Sequence, residues 1–271
     1  MTQSENGGVK SARRVLELLE YLAESPAGAT FPQLADGLGL PKSSLHALLA
    51  TLIEQGWIYL HEPTRKYRIG LRLWQVAQSF SQLDSLAHLA VKHLEAVRDE
   101  VNETVQLAVL EGADNVYVAK VESDHPLRLV SHVGSRLPAY ATGLGKVLLA
   151  HLDPEEFRRR MAKVKIERFT TRTVPTTEAL EEGLADIRMR GFGEDEGEYT
   201  PGVYCVAVPI FDADGQILAA MSCSIPMARF GGTDKERAVL LDSLSRHAKA
   251  LTDELASSSI HRTDMSAKES S

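Results

Sequence analysis

The chain has 271 residues, 44% hydrophobic and 25% charged, with a formal net charge of −7. That is room for two domains of ordinary size, and too acidic a balance for a protein that coats nucleic acid along its length. Two cysteines, Cys205 and Cys223, exclude a disulfide framework; the start MTQSENGG is not signal-like and no apolar run can span a bilayer, so a reduced, cytoplasmic setting is expected.

Charge is uneven along the chain. Up to Gln78 there are eight Lys and Arg against seven Asp and Glu, a balance of +1, and beyond it 22 against 30, or −8. A near-neutral module followed by an acidic one confines any contact with nucleic acid to the first, over a small footprint.

Residues 1–8 are expected to be disordered. Val9–Ala23 reads as a helix with Ala12, Val15, Leu16, Leu19 and Leu22 on one face, ended by Ser25, Pro26 and Gly28. Phe31–Gly56 reads as two short helices joined by a tight turn. Leu34, Ala35 and Leu38 give the first a narrow apolar face, Gly37 and Gly39 break it, and Pro41 suits the first turn of the next. In the second, Leu45, Leu48, Leu49, Leu52 and Ile53 form a helical stripe. Its other face carries Ser43, His46, Ala47 and Ala50, with Lys42 and Ser44 in the first turn. Small side chains let a backbone approach DNA, and hydroxyls reach phosphates or base edges. The pattern is a helix-turn-helix with the second helix as reader, set against an ordinary helical hairpin in a core.

The flank favours the first. Ile58 and Leu60 alternate with Tyr59 and His61, and Tyr67 and Ile69 with Lys66 and Arg68, so two strands form a hairpin across Pro63-Thr64. Three helices and a basic hairpin make a winged helix-turn-helix over residues 9–70. Arg65, Lys66 and Arg68 then lie where a wing meets phosphates, although a solvated charge run has the same pattern.

The run LGLPKSSLHALLATLIEQGWI, followed by RKYRIGLRLW, resembles the N-terminal domain of the IclR family of bacterial transcription regulators. Pro41, Lys42, Ser43, Ser44 and His46 match the opening of that family's reader helix; Ala47 stands where the family often has arginine, which removes one DNA contact. The resemblance implies that the partner is double-stranded operator DNA.

A helical connector is expected over 71–101. Leu73, Trp74, Ala77, Phe80 and Ser81 follow one stripe, and a second helix runs from Asp84, as N-cap, to Val101, with Leu86, Leu89, Ala90, His93, Leu94 and Val97 inward. Trp74 and Phe80 are expected to bury, against a partner subunit or against their own domain. Helix-turn-helix proteins bind paired half-sites as dimers, so a homodimer, or a tetramer on DNA, is expected.

From Glu103, strands and helices alternate. Thr104–Leu110 and Asn115–Val121 read as a hairpin about Glu111–Asp114, Leu127–His132 as a third strand, and Tyr204–Phe211 and Gln216–Ser224 as a second hairpin about Asp212–Gly215. Helices are expected over 146–150, after Asp153, over 177–190 and over 233–255, with a loose tail over 256–271. The arrangement is an α+β sheet domain over 102–255.

Several residues here suit a ligand. The loop Tyr140–Lys146 runs into a helix start, whose unpaired N–H groups and dipole make an anion site, and its glycines let a ligand approach. Tyr140 and Val147 stand where a nucleotide loop needs Gly and Ser or Thr, which excludes that reading. Asp195 is a hydrogen-bond acceptor in a Gly-rich segment, or an exposed loop carboxylate. Ser222 and Ser224 alternate with Cys223 and share a face, where buried hydroxyls need partners. Cys205 starts a strand of apolar residues and reads as core, the usual fate of a free cysteine.

The order of these motifs, through Gly191–Asp195, Gly202–Asp212 and Ala219–Ser224, resembles the GAF-like effector-binding domain of the same family. By that resemblance the effector pocket falls on Gly143, Leu144, Asp195, Cys205, Ser222 and Ser224, with Leu129, Leu137 and Val203 as apolar walls, and the effector is a small organic acid, aromatic ones among them. The implied function is a ligand-responsive DNA-binding regulator, a repressor of catabolic genes. An enzyme with Cys205 as nucleophile is the alternative, but none of His125, His132 and His151 forms a motif with it. No Cys and His cluster has metal-ligand spacing, so no metal or cofactor is expected.

Overall fold

The computed structural model describes residues 9–77, 81–126 and 131–257, and the chain divides between Ser81 and Gln82 into two compact units.

In the first unit, helix α1 (Lys10–Ala23) is followed by a short strand β1 (Ala29–Thr30), helices α2 (Phe31–Leu38) and α3 (Lys42–Glu54), strands β2 (Ile58–His61) and β3 (Lys66–Ile69), and helix α4 (Leu71–Ala77). Thr30 and Gln33 form a capping box that starts α2, and Gly39, at φ +60°, ends it. Gly37 does not break α2. It is helical and glycine for another reason, because a Cβ there would lie 2.3 Å from the Tyr21 ring. Pro41 is the residue before α3 rather than its first turn. The stripe of α1 also departs from expectation: Leu18 and Leu22 are buried with Val15 and Leu19 against them, while Ala12 and Leu16 are exposed. Packing against α2 and β3 selects the 15, 18, 19, 22 set over the equally helical set that includes 12 and 16.

β2 and β3 pair antiparallel with Ile58 opposite Ile69 and His61 opposite Lys66, and β1 adds a third strand to β3. The two residues of β1 carry no pattern of their own. Trp74 on α4 is exposed in the single chain, with Leu71 and Val76, so of the two expected burials the one against its own domain is not seen; Phe80 lies outside the described residues.

The second unit opens one residue into helix α5 (Ser81–Val101), so the expected connector falls in two, and Asp84 sits inside the first turn of α5 rather than capping it. Strands β4 (Thr104–Glu111), β5 (Asp114–Val121) and β6 (Arg136–Pro138) lead through a single 3-10 turn, Ala139–Ala141, to helices α6 (Gly143–Ala150), α7 (Pro154–Met161) and α8 (Thr177–Arg190). Strands β7 (Gly193–Glu196), β8 (Val203–Phe211) and β9 (Ile217–Pro226) and helix α9 (Asp234–Ala256) complete it. The sheet is antiparallel, in order β6-β5-β4-β9-β8-β7. The third strand expected over 127–132 is not borne out where it is described, since Ser131 and His132 have no strand structure; residues 127–130 lie outside the described chain.

Two apolar layers flank the sheet. Leu86, Ala90, Leu94 and Val97 of α5 and Leu240, Leu244, Ala248, Leu251 and Leu255 of α9 cover one face, against Val105, Leu107, Val206, Val208, Met221 and Cys223. Helices α6, α7 and α8 cover the other, against Ala108, Tyr117, Ala207 and Ala220. Every residue of β9 is buried, because both its faces are covered.

Candidate functional site

In the first unit, α3 turns Leu45, Leu49 and Leu52 into the core. That leaves Lys42, Ser43, His46, Ala47 and Ala50 exposed, with Ser44 half-buried. The His46 ring meets the Phe31 ring edge-on, centroids 6.1 Å apart, which ties the exposed face of α3 to the start of α2. At the wing tip Arg65 adopts φ +52° and pairs with Glu62 at 2.6 Å, both well exposed. Lys66 is half-buried. Arg68 turns inward: its guanidinium donates to the Ala27 carbonyl at 3.4 Å, and its stem lies over Gly28, where a Cβ would be 2.7 Å from Arg68 Cγ. Arg68 therefore ties the wing to the loop after α1.

In the second unit the sheet register builds a cavity. Asp195 on β7 pairs with Cys205 on β8, and Cys205 pairs with Ser224 on β9, so three of the expected residues stand in one rank across adjacent strands. The next rank on the same face holds Gly193, Ala207, Ser222 and Gln106. Its small members let α6 settle on the sheet: a Cβ on Gly193 would lie 2.8 Å from the Val147 side chain and 3.1 Å from the Gly143 carbonyl. A Cβ on Gly143 would in turn lie 3.5 Å from the Asp195 nitrogen and from the Cys205 carbonyl oxygen. Gly145 is small for packing rather than for a ligand, since a Cβ there would lie 2.2 Å from Ala139 Cα.

Helix α6 begins three residues earlier than expected. Thr142 is its N-cap: the Thr142 hydroxyl accepts from the Gly145 N–H at 3.0 Å and donates to Asn115 Oδ1 at 2.7 Å. The Lys146 N–H bonds the Thr142 carbonyl, which leaves the N–H groups of Gly143 and Leu144 as the helix donors without an internal partner. Both residues line a cavity of about 440 Å³.

Leu137, Asp195, Val203, Cys205, Ser222 and Ser224 line the same cavity, and Leu129 lies outside the described residues. Asp195 is not a loop carboxylate. It is 4% exposed, its Oδ1 accepts from the Glu198 N–H at 2.6 Å, and burial pushes its carboxyl up to about 6. The neighbouring Lys146 opposes that rise but is itself paired with Glu198. Cys205 Sγ lies 3.0 Å from Ser224 Oγ, which also donates to Gln106 Oε1 at 3.2 Å. Burial, with Asp195 beside it, raises the Cys205 thiol well above its usual range, so it stays protonated at neutral pH. The Ser222 hydroxyl is buried with no hydrogen-bond partner among the described residues.

The sequence reading missed Gln106, Tyr117, Ser131, Ser135, Thr142, Tyr199 and Thr200, which complete the wall. Gln106, polar between Val105 and Leu107, was legible as an inward polar group; so was Thr142, as a cap before Gly143. Tyr199 was not, since Phe169, 4.7 Å away centroid to centroid, and the Thr173 hydroxyl on the Glu198 carbonyl hold its loop across long separations. Among the described residues no group of His, Cys, Asp and Glu fits a metal ion, and no helix is long and apolar enough to cross a membrane.

A helix-turn-helix unit joined to a sheet domain with an apolar cavity that carries a few polar groups defines the class of ligand-responsive DNA-binding regulators. Two family profiles match the chain: "IclR helix-turn-helix domain" over residues 11–61 and "Bacterial transcriptional regulator IclR C-terminal" over residues 78–253. The chain belongs to the IclR family of bacterial transcriptional regulators. Its relatives include the transcriptional repressor IclR of Escherichia coli K12, 34% identical over 84% of each chain. The regulator BhcR of Paracoccus denitrificans is 31% identical over 92% of this chain and 88% of that one. Among solved structures, an IclR homologue from Microbacterium hydrocarbonoxydans complexed with 4-hydroxybenzoate is 27% identical, with a TM-score of 0.79 over 92% of this chain and 100% of that one.

Proposed function

We propose that the chain is a repressor of catabolic genes whose operator affinity is switched by a small organic acid held in the cavity of the second unit. The observation that carries the reading is the start of α6. Two helix N–H groups without internal partners border a cavity that also holds the Ser222 hydroxyl, buried and without a partner among the described residues. A carboxylate fits the first and a second oxygen of the ligand the other. Two relatives bear the names transcriptional repressor IclR and acetate operon repressor, which supports the sign of regulation.

Lys42, Ser43, Ser44 and His46 on α3 read the DNA, and Arg65 and Lys66 on the wing hold phosphates. Arg68 has a supporting part, through its bond to Ala27. Self-association as a dimer, or a tetramer on DNA, is supported by the exposed Leu71, Trp74 and Val76 of α4. An enzymatic role for Cys205 is disfavoured: its thiol stays protonated, and no histidine among the described residues lines the cavity to act as its base.

A thermal-shift screen of small acids tests the reading, since a ligand at about 100 times its dissociation constant adds roughly 2.7 kcal/mol to stability. A hit is then added to an operator titration. Ser222→Ala is expected to leave operator affinity within about twofold and to weaken the ligand response. A folded variant with wild-type ligand affinity would remove Ser222 from the site.

A further inference from the structure

The cavity that the preceding reading assigns to an acid already contains one. Asp195 faces it from β7, 4% exposed; Gly143, whose N–H has no partner among the described residues, lines it too, and a Cβ there would lie 3.5 Å from the Asp195 nitrogen. Each surrounding element contributes known groups. From α6 there is Lys146, paired with Glu198 of the loop that follows β7. From β8 there is Cys205 and from β5 Tyr117, both neutral at physiological pH, and the loop brings Tyr199. Lys120 of β5, opposite Gln106, has its ammonium paired with Glu122 and donates to the Ser131 carbonyl. Ser222, Ser224 and Gln106 bring only neutral dipoles from β9 and β4. On β7 itself, Glu194 and Glu196 point to the other side, where Arg190, Arg237 and Arg172 pair them. No Lys, Arg or His is among the described residues that line the cavity.

An anion at the Gly143 and Leu144 amides therefore enters beside a buried carboxylate, with no uncommitted cation among those residues. Two like charges in a low-dielectric site do not both persist when one can take a proton. We propose that the cavity binds its acid as an anion together with one proton from solvent, the proton resting on Asp195. The protonated carboxyl then donates a hydrogen bond to the ligand, and Glu198 and Lys146 keep their pairing. This favours monocarboxylates bearing a hydroxyl or oxo group, and disfavours dicarboxylates, which bring a second charge that one proton cannot offset.

The inference rests on the acid-site reading, and the experiment separates the two. The full chain is titrated calorimetrically with 4-hydroxybenzoate, lactate, acetate and succinate at pH 6, 7 and 8, each in two buffers, PIPES and imidazole at pH 6 and 7 and HEPES and Tris at pH 8. The two buffers differ in ionisation enthalpy, so the difference in heat counts protons. The carboxyl of free Asp195 lies at about 6 and an adjacent anion raises it further. Proton uptake on binding is then expected to approach one per site above pH 6, with affinity falling up to tenfold per pH unit until the raised value is passed. Asp195→Asn keeps an oxygen to accept from the Glu198 N–H, and its binding is expected to show no uptake and no such slope. Binding by wild type without uptake overturns the proton and leaves the acid site standing. Uptake that survives in Asp195→Asn places the proton elsewhere and overturns the assignment. If none of the acids binds at any pH, the acid-site reading falls and this inference with it.

Discussion

Asp195 shows how one residue serves a site at the expense of the fold. An unfolded aspartate titrates near about 3.9, and in the folded protein burial pushes Asp195 up to about 6. The folded state thus holds the proton more tightly. The stability this confers is complete below about pH 4 and is lost as pH rises from about 4 to 6. At neutral pH an ionised, buried Asp195 costs on the order of 2–3 kcal/mol. Asp195→Asn is therefore expected to unfold at higher denaturant than wild type at pH 7 to 8, with the advantage vanishing toward pH 4; urea titrations across that range read it directly. The DNA face divides by residue in a different way. Replacing Ser44 or His46 should relax sequence preference. Replacing Arg65 or Lys66 should weaken all duplexes alike and lower the salt slope by about one per lost phosphate contact. A competition assay against random DNA at several salt concentrations separates the two patterns.

Among the elements, α6 connects packing to function. It is only eight residues long, and the cavity needs its first turn set down on the sheet. Three small side chains allow that: Gly193 beneath Val147, Gly143 against β7 and β8, and Gly145 against the Ala139 backbone. Gly145→Ala meets main chain that cannot swing away, so it is expected to destabilise the second unit by about 1–3 kcal/mol and to abolish ligand binding together with it. Thr142→Ala should cost about 1 kcal/mol through the lost cap and, by freeing Asn115, loosen the helix start. Thermal unfolding of each variant, with and without a bound acid, checks both. The wing depends likewise on a packing device, since Arg68 lies over Gly28 and bonds Ala27, so its neighbours Arg65 and Lys66, the proposed phosphate contacts, start from a fixed hairpin.

For the whole molecule, the exposed Leu71, Trp74 and Val76 of α4 set an expectation of self-association. Trp74→Glu places a charge on that surface. In sedimentation at micromolar concentration wild type is expected to exceed monomer mass, and the variant to shift toward monomer and lose operator affinity. A wild-type protein that stays monomeric with and without DNA would refute it. Whatever the assembly, an acid can alter DNA affinity only by the difference in its own affinity for the DNA-bound and free arrangements. That coupling is about 1–3 kcal/mol in most regulators, or roughly 5- to 150-fold in operator affinity. By reciprocity, saturating operator DNA should shift the acid's affinity by the same factor, which a calorimetric titration of the complex measures.

The helix-turn-helix, both long hairpins and the helices over 177–190 and after Asp153 were legible in the chain because each is defined by periodicity and by local turn and cap chemistry. Ser222 and Ser224 were legible as one face of a strand for the same reason. The resemblance to the IclR family, resting on motifs in fixed order, supplied the list of pocket residues. Tertiary structure alone decided what depends on contacts distant in sequence. It chose which of two helical stripes of α1 is buried, left Trp74 exposed, and made a strand of the two residues of β1. It turned the Gly-rich stretch around Asp195 into an edge strand, because β8 offers it a partner. It also drew Tyr117, Gln106 and Tyr199 into the wall of the cavity. Local pattern specifies which groups a segment can present. Only the register of β7, β8 and β9 and the weight of α6 upon them determine which of those groups meet, and which are left, like Ser222, without a partner among the described residues.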